Sequence, residues 1–357
     1  MTNDSCMLTA VFLPVIGSAL LPLLGRISER LRNGAAFCLV VGTLICCLRL
    51  AVAVFAHTEA ASVSLSIPVG FNFVLAADRL AVFMAIVSSS ISAVILLFSF
   101  DYISHYDHRD EYYFMVVLFL GSMIGLIFSA NLILLYLFWE ITAITSWRLI
   151  GFFRQKQQVL KADKSFLITT GGALCMMLGF LILYREAGSF DLLAIRELFL
   201  TRAVPPAAVA LILCGIFSKS ATLPFQTWLP DAGVAPSPVT ALLHAAVLVK
   251  IGVYVFARLF IVTAPLDLTA SQWVVLIAGL SSLVSGGAAL LDTDMKRITA
   301  YSTISQIGFI FCGLALGSPI GIAGGILLIL IHGMAKGGLF LIAGIVEQNT
   351  KTRDITK

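Results

Sequence analysis

The chain is a series of apolar runs, each about twenty residues long and separated from the next by a short polar stretch. A run of that length crosses the hydrocarbon core of a bilayer as a single α-helix. Eleven such helices are predicted, at roughly 8–24, 35–56, 79–100, 112–130, 132–153, 164–184, 207–229, 239–262, 271–291, 297–316 and 320–346. The composition agrees: 59% of the residues are apolar and 12% charged, against about 45–50% and 25% in a soluble chain. Mean hydropathy is +1.01. A soluble fold of this makeup would turn far too much apolar surface to water. Disorder, a collagen-like fibre, a disulfide scaffold and a soluble enzyme are thereby excluded. The expected fold class is an all-α polytopic membrane protein.

Most familiar chemistries have no foothold here. The seven cysteines form no C-x-x-C pair and sit mainly in apolar runs, so no metal or haem site is expected. No glycine-rich phosphate loop follows a strand. The net charge of +4 is spread over short loops, which argues against nucleic acid. His105 and His108, in DYISHYDHRDEYY, read as part of a solvated loop. The first run, Leu8 to Leu24, lacks a positive leader and a small-residue cleavage site, so it reads as a retained helix. Between the second and third runs, His57 to Asp78 holds the alternating SVSLSIPV and a Gly-Phe-Asn turn, which predicts a small external hairpin. Residues 186–206 read as a short amphipathic segment ending in Pro205-Pro206. Lys and Arg concentrate on one set of loops, among them Arg26, Arg30, Arg154, Lys161 and Arg297. The opposite set holds Arg79, Arg185, Arg196 and Arg202. That bias places the N-terminus outside and the C-terminus inside.

The few charges within the runs point to function. Glu140 is the ninth residue of the fifth run, about 13 Å along a helix that rises about 1.5 Å per residue. A carboxylate at that depth needs a partner, water or a proton. Lys219 lies at similar depth in the seventh run, and Pro224 and Pro230 follow it. Proline removes a backbone donor and clashes with the preceding turn, so the helix is expected to break there and line a hydrated cavity. A Glu140–Lys219 pair would act as an electrostatic switch, because losing the carboxylate pushes the lysine to release its proton. The eighth run carries His244 and Lys250, and the eleventh carries His332 and Lys336 at i,i+4 on one face. Histidine titrates near neutrality and suits a relay. Arg148 is expected to snorkel to the interface, and Arg258 to sit near the outer end of its helix.

The segments WEITAITSWRLIGF, SKSATLPFQTWLPDAGVAPSPVTALLHAAVLVKIGVYVFAR and DTDMKRITAYSTISQIGFI resemble the antiporter-like proton-translocating subunits. These occur in respiratory complex I, energy-converting membrane-bound hydrogenases and Mrp-type sodium/proton antiporters. The likeness covers most of 78–357. ITTGGALCMMLGF and GIVEQNTKTRDITK lean toward the Mrp and hydrogenase branch. The resemblance implies a fold of two inverted five-helix repeats, each with a broken helix. It also implies roles: Glu140 and Lys219 as the coupled pair gating proton input, His244 and Lys250 as the connecting relay, and His332 and Lys336 as the lead into the second half. Arg148 stands where the family pattern has an apolar or aromatic residue. The family continues beyond the eleventh helix, so the second repeat is expected to be incomplete. The expected organisation is 1–111, three helices with the hairpin; 112–262, the first repeat; and 263–357, the start of the second.

The function expected on this basis is proton translocation, with sodium as the alternative ion, in a subunit of a redox-driven complex of the complex I or hydrogenase type. The alternatives are a component of an Mrp-type antiporter without redox chemistry, and a non-pumping scaffold. No cofactor or metal is expected in this chain; flavin, iron–sulfur or nickel–iron centres would belong to partner subunits. The expected partners are other membrane subunits, the lipid bilayer and the transported ion, with no nucleic acid. The expected location is the prokaryotic cytoplasmic membrane.

Overall fold

The computed structural model describes residues 2–56, 61–66 and 72–357. They form an all-α integral membrane protein with one small hairpin. The chain divides into two compact units: Met1–Leu149 with Phe190–Leu192, and Ile150–Ser189 with Leu193–Lys357.

The first unit begins with α1 (Asn3–Ser18) and α2 (Leu21–Ile27), which are bent by 50° at their junction. One straight helix over 8–24 was the expectation. The bend has a local cause: the ring of Pro22 clashes with the carbonyl four residues back, that of Ser18, where α1 ends. Next come α3 (Glu29–Ala56) and the predicted hairpin, β1 (Ala61–Ser66) antiparallel to β2 (Asn72–Ala77), with Ala61 opposite Ala77 and Ser66 opposite Asn72. The Gly70-Phe71 part of its predicted turn lies outside the described residues. Asp78 caps α4 (Arg79–Tyr102) by accepting from the Ala81 amide at 2.8 Å. α5 (Arg109–Phe128) and α6 (Leu132–Ile150) complete the unit.

The second unit holds α7 (Lys156–Ala187), most of the short α8 (Leu192–Phe199), α9 (Pro206–Lys219) and a four-residue α10 (Trp228–Asp231). A long span, Ser237–Thr263, follows in four pieces: α11 (Ser237–Ala241), a π turn (Leu242–Ala246), α12 (Leu248–Phe256) and a second π turn (Ala257–Thr263). Three uninterrupted helices come after it: α13 (Leu268–Leu291), α14 (Met295–Ala315) and α15 (Pro319–Thr350).

Among the described residues, nine helices are long and apolar enough to cross a membrane, and the α1–α2 pair makes a tenth span. The remaining predicted run corresponds to α9, which is shorter because its helix breaks. Outward faces of the long helices carry large apolar side chains. On α7, Leu160, Leu167, Leu174 and Leu181 are exposed at seven-residue spacing, and on α13 so are Leu276, Leu283 and Leu290. Such stripes are untenable in water but suit lipid.

Candidate functional site

The break after α9 is built by Pro224. Its ring forbids helical placement of the carbonyl four residues back, and α9 stops at Lys219 with Ser220 as its C-cap. Irregular backbone within a membrane protein needs internal partners, and this break supplies them. The Trp228 indole donates to the Ser218 carbonyl at 2.9 Å. The Thr222 amide donates to the Phe217 carbonyl at 2.9 Å. The Leu223 amide donates to Ser281 Oγ of α13 at 3.2 Å. Pro224 thus lies in the break itself, whereas Pro230 sits inside α10 beyond it.

Lys219 has no solvent exposure. Its neighbours are fixed from two sides by glycine. A Cβ on Gly172 of α7 would collide with Ser218, and one on Gly252 of α12 would collide with Ser220 and come within 2.6 Å of the Ile216 carbonyl. Ser220 Oγ also donates to the Val249 carbonyl at 3.0 Å. The end of α9 is therefore pressed against the stretch of α12 that carries Lys250.

His244 lies in the first π turn, where the Val247 amide reaches back five residues to the Leu242 carbonyl at 3.0 Å. Such turns widen a helix and recur at functional sites. The His244 ring lies 4.6 Å from that of Phe340 on α15. Lys250, also fully buried, donates to the Ala245 carbonyl of the same turn. On α15, His332 is buried within electrostatic reach of Lys250, Lys336 and His244. Lys336 donates to Ser302 Oγ of α14 at 2.6 Å. Four of the predicted residues are thus gathered in one buried group. Both ring nitrogens of His244 and of His332 lack a hydrogen-bond partner among the described residues. Buried polar atoms in that state call for water.

Glu140 belongs to the other unit. On α6 its Oε1 is buried without a hydrogen-bond partner among the described residues, and Tyr136, one turn earlier, is its neighbour. Arg148, half-buried in the last turn of α6, forms an ion pair with Glu111 in the first turn of α5, where a carboxylate also suits the helix dipole. Arg258 lies in the second π turn, close to the end of its span. It is buried, and its Nε and Nη2 donate to Tyr254 Oη at 3.0 and 2.9 Å. His105 and His108 are exposed, and no group of three or more potential metal ligands occurs among the described residues.

Two features were missed by the sequence reading. Ser281 anchors the break, and its signal was the polar cluster Ser281, Ser282, Ser285 inside an apolar helix. The second is an ion pair at one end of the second unit, buried on its lysine side. Lys296 of α14, only 2% exposed, lies 2.7 Å from Glu347 Oε2 of α15 and donates to the Ala235 carbonyl at 3.2 Å.

A profile of the family described as NADH:quinone oxidoreductase/Mrp antiporter, transmembrane region, matches residues 129–357. A Na(+)/H(+) antiporter subunit of Alkalihalophilus pseudofirmus is 37% identical over 81% of this chain and 38% of its own length. A Na(+)/H(+) antiporter subunit of Staphylococcus aureus is 34% identical over 98% of this chain and 46% of its own. This chain therefore spans less than half the length of these curated relatives. Among solved structures, the Mrp complex of a Dietzia species matches 99% of this chain and 38% of its own chain, with a TM-score of 0.87 and 27% identity. An archaeal respiratory complex, the membrane-bound sulfane sulfur reductase, matches with a TM-score of 0.90 over 99% and 73% of the two chains. At 24% identity it speaks to fold alone.

Proposed function

This chain belongs to the NADH:quinone oxidoreductase/Mrp antiporter transmembrane family, and we propose that it moves protons through the membrane as part of an Mrp-type sodium/proton antiporter. The observation that carries the reading is the buried group of His244, Lys250, His332 and Lys336, with four imidazole nitrogens left for water. Imidazoles change charge near neutrality, and a desolvated lysine gives up its proton readily. Protons pass from Lys219 through Lys250 and His244 to His332 and Lys336. Glu140, the deep acid of α6, is assigned to proton input from its place in the sequence.

The sodium/proton antiporter relatives favour ion exchange over redox-driven pumping. Redox coupling, with its centres in partner subunits, is the second reading; it draws on the family, whose description also names NADH:quinone oxidoreductase. Other membrane subunits and the bilayer are the partners on either reading. On this reading the assembly sits in the cytoplasmic membrane, and the loop charges favour an N-terminus outside and a C-terminus inside.

The test is sodium-induced proton movement in everted vesicles, followed with a ΔpH-sensitive dye. Glu140→Gln and Lys219→Ala are each expected to lower the initial rate at least tenfold while the chain still inserts. Full rates in both variants would sink the reading.

A further inference from the structure

Between α14 and α15 a polar seam leads from the buried relay to the end of the second unit that carries the α13–α14 turn. On α14, Lys296, Thr299, Ser302 and Thr303 follow one another at helical spacing and form a single stripe. On α15, Lys336, Phe340, Ala343, Gly344 and Glu347 form another, and the two helices pack together. At the inner end, Lys336 donates to Ser302 Oγ at 2.6 Å. At the outer end, Lys296 pairs with Glu347 at 2.7 Å. The Glu347 side chain is 32% exposed, whereas Lys296, Thr299, Thr303 and Lys336 are all buried, so the seam meets water at its Glu347 end.

The hydroxyl steps are one helical turn apart, about 5 Å, a gap that one bridging water spans. Thr299 and Thr303 donate to the Met295 and Thr299 carbonyls at 2.8 and 3.0 Å, and each hydroxyl oxygen keeps acceptor capacity for such a water. We propose that this seam is a proton access path linking Lys336 to the aqueous end of α14 and α15, with the Lys296–Glu347 pair as its mouth. Opening the pair, together with the longer contact of Arg353 Nε to Glu347 Oε1 at 3.7 Å, frees Glu347 to exchange a proton with water and Lys296 to hand one along the hydroxyls. The proposal rests on the relay reading of Lys336.

A rival role for the pair is purely mechanical. Arg353 also reaches Asp294 at 3.4 Å and the Gly233 carbonyl at 3.1 Å, fastening the segment after α15 to the loop before α11. Removing hydroxyls separates the two roles, because Thr299→Val with Thr303→Val leaves every ion pair in place. In the vesicle assay, normalised to the amount of inserted chain, this double variant is expected to slow proton movement at least fivefold. Glu347→Gln should do the same, and Glu347→Asp should recover more than half the rate. Ser302→Cys should react with a small membrane-impermeant thiosulfonate reagent faster than the seven native cysteines do. The path is overturned if the double valine variant runs at the parental rate while Lys336→Ala is inactive, a result that leaves the relay standing. It is equally overturned if Glu347→Asp fails to recover, or if the introduced cysteine stays unreactive. Normal transport by Lys336→Ala would remove both the path and the relay beneath it.

Discussion

Two neighbouring spans, Ser237–Thr263 and α13, have the same mean hydropathy, 2.1 over their best windows, and similar lengths of 27 and 24 residues. Their fates differ. The first is 88% buried over that window, the second 28%. The first is interrupted by two π turns and carries His244, Lys250 and Arg258; the second is continuous and holds no charge between Asp267 and Asp292. Hydropathy alone puts a helix into the membrane. A side chain that lipid cannot accept decides whether the helix then faces lipid or protein.

The largest effect that bears on this contrast is functional. Lys250→Ala removes a titratable group from the interior span and should lower proton movement at least tenfold, measured with the same dye in vesicles. The chain should still insert, because an uncharged residue at that site needs no compensation. A Lys250→Ala variant with normal transport would make the interior charges mere packing devices. Next comes stability. Leu248→Ala, at a fully buried position of α12, should cost about 2–5 kcal/mol, as core truncations do. Leu283→Ala on the exposed face of α13 should cost less than about 0.5 kcal/mol. Thermal melting of the purified protein measures both, and equal losses would erase the distinction between the spans.

The smallest effect concerns the charges that α13 does have, at its ends. Partial burial pushes the Asp292 carboxyl up, but hydrogen bonds from the Asp294 amide and from Arg297 outweigh it and hold it below the ordinary 3.8. Asp354, hydrogen-bonded by Thr356, is held low as well. The unfolded chain then binds protons where the folded one does not, so the stabilisation is complete above that ordinary value and fades as pH falls through it and below. Amide exchange at 292–297 and 352–357, corrected for intrinsic rates, should stay constant from neutrality down to about pH 5 and rise only below about pH 4. Loosening that begins near neutrality would assign these ends to another titrating group.

The membrane fold and the ionisable residues inside the apolar runs were legible because those residues break a pattern. Glu140, Lys219, His244, Lys250, His332 and Lys336 are polar groups where lipid-compatible residues dominate. The bend at Ser18 and the stop at Lys219 were also within reach, since each lies about four residues ahead of a proline. The π turn at His244 was not. LLHAA contains neither glycine nor proline, and the turn it forms lies against α15. The partners of Arg148, Arg258 and Lys296 were hidden for a related reason. A charge in the sequence announces a need, while its answer comes from another helix, as with Glu111 and Glu347, or from one turn away, as with Tyr254.

The glycine contacts on either side of Lys219 have a consequence for how the lysine is placed. Gly172 and Gly252 bring α7 and α12 against the end of α9. A methyl group added at either glycine would have to shift the residue on its side of Lys219, so the position of the lysine is set by two side chains that are not there.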